Sequence, residues 1–140
     1  MKAFHGILVL FTALLLTGLS ACTEEDPSPS PSDPRTALVG DWSVIDQEYK
    51  QAYEVTIQLD GSSTTRIRII NFANSGIDGN PAVAEVSGTN IYLVSEQTIG
   101  DGWVVSGGGA LVGSSTINWT YQVNYDQADL KNYTAVYTKQ

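Results

Sequence analysis

One cysteine, one histidine and seven basic residues in a chain of 140 leave little material for several kinds of chemistry. The cysteine is Cys22 and the histidine is His5, and both precede the expected folded domain, which runs from 37 to 140. No disulfide can form within one chain, so an exported domain of this kind must hold together by packing and strand pairing. With neither His nor Cys in the domain, the usual neutral-pH base and thiol nucleophile are missing, and a zinc site would have carboxylates alone. The domain is therefore expected to be noncatalytic, with no metal and no cofactor. Seven basic residues face fifteen acidic ones, for a formal charge of −8. That balance opposes binding to phosphate backbones and anionic lipid surfaces, and nucleic acid is not an expected partner. A sustained 3.6-residue apolar period is also missing, which argues against a long helix.

The only long apolar run lies at the start. Lys2 supplies a positive charge, and the core from Ile7 to Leu16 is followed by small residues up to Ala21. This run is shorter than the ~20 residues a transmembrane helix needs, and it reads as an export signal over residues 1–21. Cys22 follows at once. Residues 22–36 read as an acidic and Pro/Ser-rich tether. Thr23-Glu24-Glu25-Asp26 is solvated, and Pro27-Ser28-Pro29-Ser30-Pro31-Ser32-Asp33-Pro34 cannot assemble a core. At ~3.1 Å per residue in an extended proline-rich form, a dozen such residues reach roughly 40 Å.

Leu19-Ser20-Ala21-Cys22 resembles the lipobox of bacterial lipoproteins, in which an aliphatic residue and two small ones precede the acceptor cysteine. The resemblance implies that the Cys22 thiol receives diacylglycerol, that cleavage makes Cys22 the first mature residue, and that its amino group takes a further fatty acyl chain such as palmitate. Several chains amount to a lasting membrane anchor, since each buried CH₂ contributes ~0.8 kcal/mol. The residue after Cys22 is Thr23 rather than the Asp that resembles an inner-membrane retention signal. Outer-membrane delivery is the expectation. The acidic run also looks like the short signals that send some lipoproteins to the cell surface, with the periplasmic face as the alternative.

From Gly40 the apolar period becomes two. In Tyr53-Glu54-Val55-Thr56-Ile57-Gln58-Leu59-Asp60 every odd position is apolar, and Ile117, Trp119, Tyr121 and Val123 repeat the pattern. Each is a half-buried strand, as in an antiparallel sheet with one wet face. Further strands are expected at 41–46, 64–72, 81–87, 91–95, 102–111 and 132–139, for eight in all. Asp60-Gly61-Ser62, Gly88-Thr89-Asn90 and Gly113-Ser114-Ser115 read as tight turns. Tyr125 to Lys131 is compatible with one helical turn. The fold class expected is all-β, an antiparallel eight-stranded meander that closes, or nearly closes, because closure removes exposed strand edges. A two-sheet sandwich is the alternative.

Gly40-Asp41-Trp42 is similar to the G-x-W opening of lipocalin and related calycin barrels, in which the Trp plugs one end. The order Tyr53-Glu54-Val55-Thr56-Ile57, Ile70-Asn71-Phe72, Ser106-Gly107-Gly108-Gly109, Tyr121-Gln122-Val123 and Tyr133 to Lys139 resembles small lipocalin-like bacterial lipoproteins of unassigned activity. The chain departs from true lipocalins in carrying Lys139 where those tend to place an arginine on the tryptophan, and in being shorter. The resemblance implies a barrel that binds a small apolar or amphipathic ligand.

Candidate chemistry is sparse. Asp41, Asp46, Glu48 and Glu54 could supply a carboxylate pair, but nothing in their spacing brings two together. Gly107-Gly108-Gly109 lacks the Lys-Ser/Thr of a phosphate loop and reads as close backbone approach in a curved sheet. Asp78-Gly79-Asn80 and Asp101-Gly102 lack the acids of a calcium loop. Arg66 and Arg68 share one strand face, where they solvate the outer surface. The aromatics Trp42, Tyr53, Trp103, Trp119 and Tyr121, with Tyr133 and Tyr137, are either pocket lining or core. An eight-stranded barrel has room only for packed side chains or one small ligand, which favours core. Two functions follow as expectations: a ligand-binding barrel, or an accessory module contacting another envelope protein or a glycan.

Overall fold

Nine strands wind in one antiparallel sheet that closes on itself. The structure, a computed structural model, describes residues 32–95, 97–100, 102–126 and 129–140. The signal and lipobox residues Leu19, Ser20, Ala21 and Cys22 lie outside these. The strands are β1 (Gly40–Asp46), β2 (Ala52–Leu59), β3 (Arg66–Ile70), β4 (Ala82–Ser87), β5 (Asn90–Leu93), β6 (Gln97–Ile99), β7 (Trp103–Val112), β8 (Thr116–Asn124) and β9 (Leu130–Lys139). Each pairs with its successor except β5, which passes directly to β7, and β9 returns to β1. β5 and β6 both run along β7 and so share one position around the wall. The result is a closed eight-stranded antiparallel barrel with no free edge of the kind that invites aggregation.

The break between β5 and β6 is patched by a side chain. Gln97 Oε1 accepts from the Val83 N–H at 2.6 Å, while its Nε2 donates to the Val83 and Val94 carbonyls at 2.7 and 2.8 Å. A side-chain amide thus takes the place of a ladder bond where extra residues bulge out of the wall.

The expected alternation sets the interior. Val55 and Ile57 of β2, and Ile117, Trp119, Tyr121 and Val123 of β8, all point inward and are buried. Trp42, Val44, Ile67, Ile69, Ile91, Val105 and Tyr137 complete a filled core. Leu59 departs from the expectation and is 43% exposed: β1 begins opposite Ile57, so Leu59 is paired on the β3 side alone, with Ile67. The helical turn expected over 125–131 is not formed by its described residues: Leu130 and Lys131 already belong to β9, paired with Asn124 and Val123.

The Gly107-Gly108-Gly109 segment works as close backbone approach. A Cβ on Gly107 would meet the Thr120 carbonyl at 2.5 Å, one on Gly108 the Ile91 carbonyl at 2.6 Å, and one on Gly109 the Trp119 ring at 2.8 Å. Trp119 therefore occupies the barrel centre because β7 has no side chain there. Arg66 pairs across strands with Glu85 at 3.0 Å on the outer face, while Arg68 stays exposed.

One barrel end is sealed. Pro34–Ala37 forms a 3₁₀ turn capped by Asp33, so residues 33–36, spacer by composition, pack on the barrel. Arg35 is buried, paired with Asp33 at 2.6 Å and donating to the Ser63 and Arg66 carbonyls. The side-chain and backbone hydrogen bonds that Arg35 donates to it hold the Asp33 carboxyl below its usual range. Trp42 is fully buried beneath this cap, its Nε1 donating to the Leu38 carbonyl at 2.8 Å. Lys139 Nζ sits 5.5 Å above the indole and donates to the Ala37 carbonyl at 2.7 Å.

Candidate functional site

At the opposite end the strands stop short of a seal and surround a recess of about 510 Å³. The loop after β1, the segment between β3 and β4, and Tyr125 and Asp129 between β8 and β9 form its rim. Four tyrosines line it: Tyr49 from the first loop, Tyr53 from the start of β2, Tyr125 beyond β8, and Tyr133 from β9. Alternation on β9 places Lys131 on the same inward face as Tyr133, one step nearer the opening.

The rings form a connected group. Tyr133 stacks on Tyr121 with centroids 5.3 Å apart, touches Tyr49 at 5.7 Å, and exchanges a 2.5 Å hydroxyl contact with Tyr125. Beneath them Phe72 closes the barrel core, packing edge-on against Trp119 at 5.2 Å and tilted against Tyr121 at 4.8 Å. Phe72 is driven inward by an unusual local backbone. Asn71, Ala73 and Asn74 all adopt left-handed φ values, and Lys50 in the facing loop does the same. Asn71 holds this turn, donating to the Glu54 carbonyl at 2.7 Å and accepting from the Gly76 N–H at 2.8 Å. These four are all the described non-glycine residues with positive φ, and two of them, Ala73 and Asn74, line the recess.

Asp46 ends β1 with only 5% of its surface exposed and faces the recess. Its Oδ1 accepts from the backbone N–H of Glu48 and Tyr49 at 2.7 and 2.9 Å, which fixes the loop that carries Tyr49. Inside, the phenols of Tyr53, Tyr121 and Tyr137 approach one another and Asp46. The hydroxyls of Tyr53 and Tyr137 nonetheless have no hydrogen-bond partner of good geometry among the described residues. Burial raises all three phenols, and Tyr133 likewise, well above the ordinary value of 10.0. At the rim Lys131 pairs with Asp129 at 3.3 Å and lies 5.6 Å from the Tyr125 ring centre.

Of the aromatics singled out from sequence, only Tyr53 and Tyr133 line the recess. Trp42 seals the far end, Trp119, Tyr121 and Tyr137 fill the core, and Trp103 packs edge-on against Tyr125 at 4.7 Å. The four candidate acids are dispersed. Asp41 accepts from Thr56, Glu54 accepts from Gln140, Glu48 is exposed, and Asp46 alone reaches the recess. No cluster of His, Cys, Asp and Glu able to hold a metal exists among the described residues. Sequence reasoning passed over Tyr49, Tyr125 and Lys131. For Lys131 a signal was present, since it continues the odd-numbered inward series of Tyr133 and Tyr137. No protein-family model matches this sequence, and a search of curated proteins finds no similar chain.

Proposed function

We propose that this chain is an outer-membrane lipoprotein, anchored through acylated Cys22 and displayed at the cell surface, whose lipocalin-like barrel binds a small amphipathic molecule without catalysis. The lipocalin-like reading draws support from Trp42 at the sealed end beneath Lys139, a cation replacing the arginine of that family. The binding reading rests on one observation: the barrel interior is filled, and a tyrosine-walled recess of about 510 Å³ lies above it. That volume falls within the ~300–1,000 Å³ of small-molecule sites. Its lining mixes aromatic faces with Gln51, Asn74, Asp46 and Lys131, which suits an amphipathic guest better than a purely apolar one.

Native mass spectrometry of protein purified from its own membranes tests this. A bound small molecule is expected, lost when Gln51→Trp fills the opening; protein that is always empty overturns the reading. Incorporation of labelled fatty acid that disappears with Cys22→Ser tests the anchor. Protease treatment of intact cells tests display, and protection until the outer membrane is broken would place the domain on the periplasmic side.

One observation favours the second reading, an accessory module for an envelope protein or glycan. Ile45, Ile77 and Leu130, at 49, 73 and 58% exposure, all stand at the open end. Crosslinking on intact cells separates the two: a partner retained by the Gln51→Trp protein assigns the accessory role.

A further inference from the structure

Asp46 is a buried acid without a basic partner among the described residues. The ion pairs among the described residues join Asp33 to Arg35, Glu85 to Arg66, and Asp129 to Lys131, and none reaches Asp46. Two backbone N–H groups satisfy one of its oxygens, but hydrogen bonds do not supply a counter-charge. Around it stand the rings of Tyr49, Tyr53 and Tyr133; burial makes the Tyr53 and Tyr133 phenols weaker acids, so these two add ring faces and no charge. Aromatic faces attract cations, and a partly desolvated setting strengthens that attraction. The rim already illustrates the pairing, since the Lys131 ammonium lies over the Tyr125 ring and against a carboxylate.

We infer that the recess recognises an organic ammonium group, seated on the faces of Tyr49, Tyr53 and Tyr133 with Asp46 as its counter-charge. This rests on the open end being the ligand site. An anion would meet Asp46 and Asp129 against the single lysine of the lining, which is already paired. A neutral polyol would stack on the rings but leave Asp46 without a counter-ion. The apolar stem of an alkylammonium extends toward exposed Tyr49 and the opening.

The test uses the full chain in nonionic detergent, titrated with choline and with its neutral isostere 3,3-dimethyl-1-butanol, and followed by calorimetry. Choline is expected to saturate one site and to bind about tenfold more tightly than the isostere. Asp46→Asn, whose side-chain oxygen still accepts the two loop N–H groups, is expected to remove that preference. Lys131→Gln, which deletes the resident cation, is expected to tighten choline binding several-fold. Equal binding of choline and the isostere overturns the inference and leaves open-end binding standing. No saturable binding of choline, or tightening by neither variant and loss by neither, also overturns it. Should Asp46→Asn not fold, the isostere comparison and Lys131→Gln still decide. Competition by glycerophosphocholine assigns the ammonium to a lipid headgroup, and its failure assigns a free amine.

Discussion

Gly107 and Gly61 show how differently two glycines of one barrel are constrained. Gly107 has φ +126 and its missing Cβ would lie 2.5 Å from the Thr120 carbonyl, a backbone atom that cannot swing aside. Gly61 sits in a turn with open space around it. Gly107→Ala is expected to lower unfolding free energy by about 2–4 kcal/mol, from backbone strain plus overpacking. Gly61→Ala is expected to stay within ~0.5 kcal/mol. Urea denaturation of the two variants checks this, and equal losses would mean that the wall yields at Gly107. The same contrast governs the aromatics. Trp119 is a core residue because Gly109 makes room for it, whereas Tyr53, equally apolar in pattern, stands at the end of its strand where the barrel opens.

The most informative element is the broken wall of β5 and β6. A strand interrupted by a bulge leaves backbone groups to be satisfied elsewhere, and Gln97 supplies the acceptor for the Val83 N–H. Gln97→Ala removes the acceptor of that N–H, while the Val83 carbonyl keeps its bond from the Val94 N–H. The expected cost is about 1–3 kcal/mol. The specific signature is hydrogen exchange: the Val83 amide should lose protection by about tenfold or more while the amides of β8 and β9 lose only what global destabilisation explains. Unchanged exchange at Val83 would show that the bulge closes by itself. This element was also the least legible in the sequence. Gln97-Thr98-Ile99 is three residues long with no alternation to read, whereas the period-two runs of β2 and β8 announce both their strand character and their inward face. The recess shares that difficulty. Tyr49 and Tyr125 belong to connections rather than strands, so no period marks them, and Lys131 falls in a stretch compatible with one helical turn although it continues the inward face of β9.

Across the whole molecule, the barrel places four phenols in one continuous aromatic interior, and this gives it an alkaline limit. Tyr53, Tyr121, Tyr133 and Tyr137 all have raised values, chiefly from burial. In the unfolded chain each ionises near pH 10. Above that pH the folded state binds more protons than the unfolded state, so stability falls as pH rises; below it, these groups contribute no pH dependence. The urea midpoint is expected to decline from about pH 10 upward, with tyrosinate absorbance of these four rings appearing together with loss of near-ultraviolet circular dichroism. Their ionisation with the aromatic signal intact would contradict the burial described above.

Alternation of apolar and polar residues, together with Gly-containing turns, determined that the domain is antiparallel β and which strand faces are wet, because side-chain direction along a strand follows from local geometry alone. Composition likewise determined that the domain contains neither thiol nor imidazole. Closure of the wall, the filling of its interior and the gathering of Tyr49, Tyr53, Tyr133 and Asp46 at one end were decided only by the tertiary structure. They depend on which strands meet across large separations in sequence, and on whether glycine or a ring occupies the facing position.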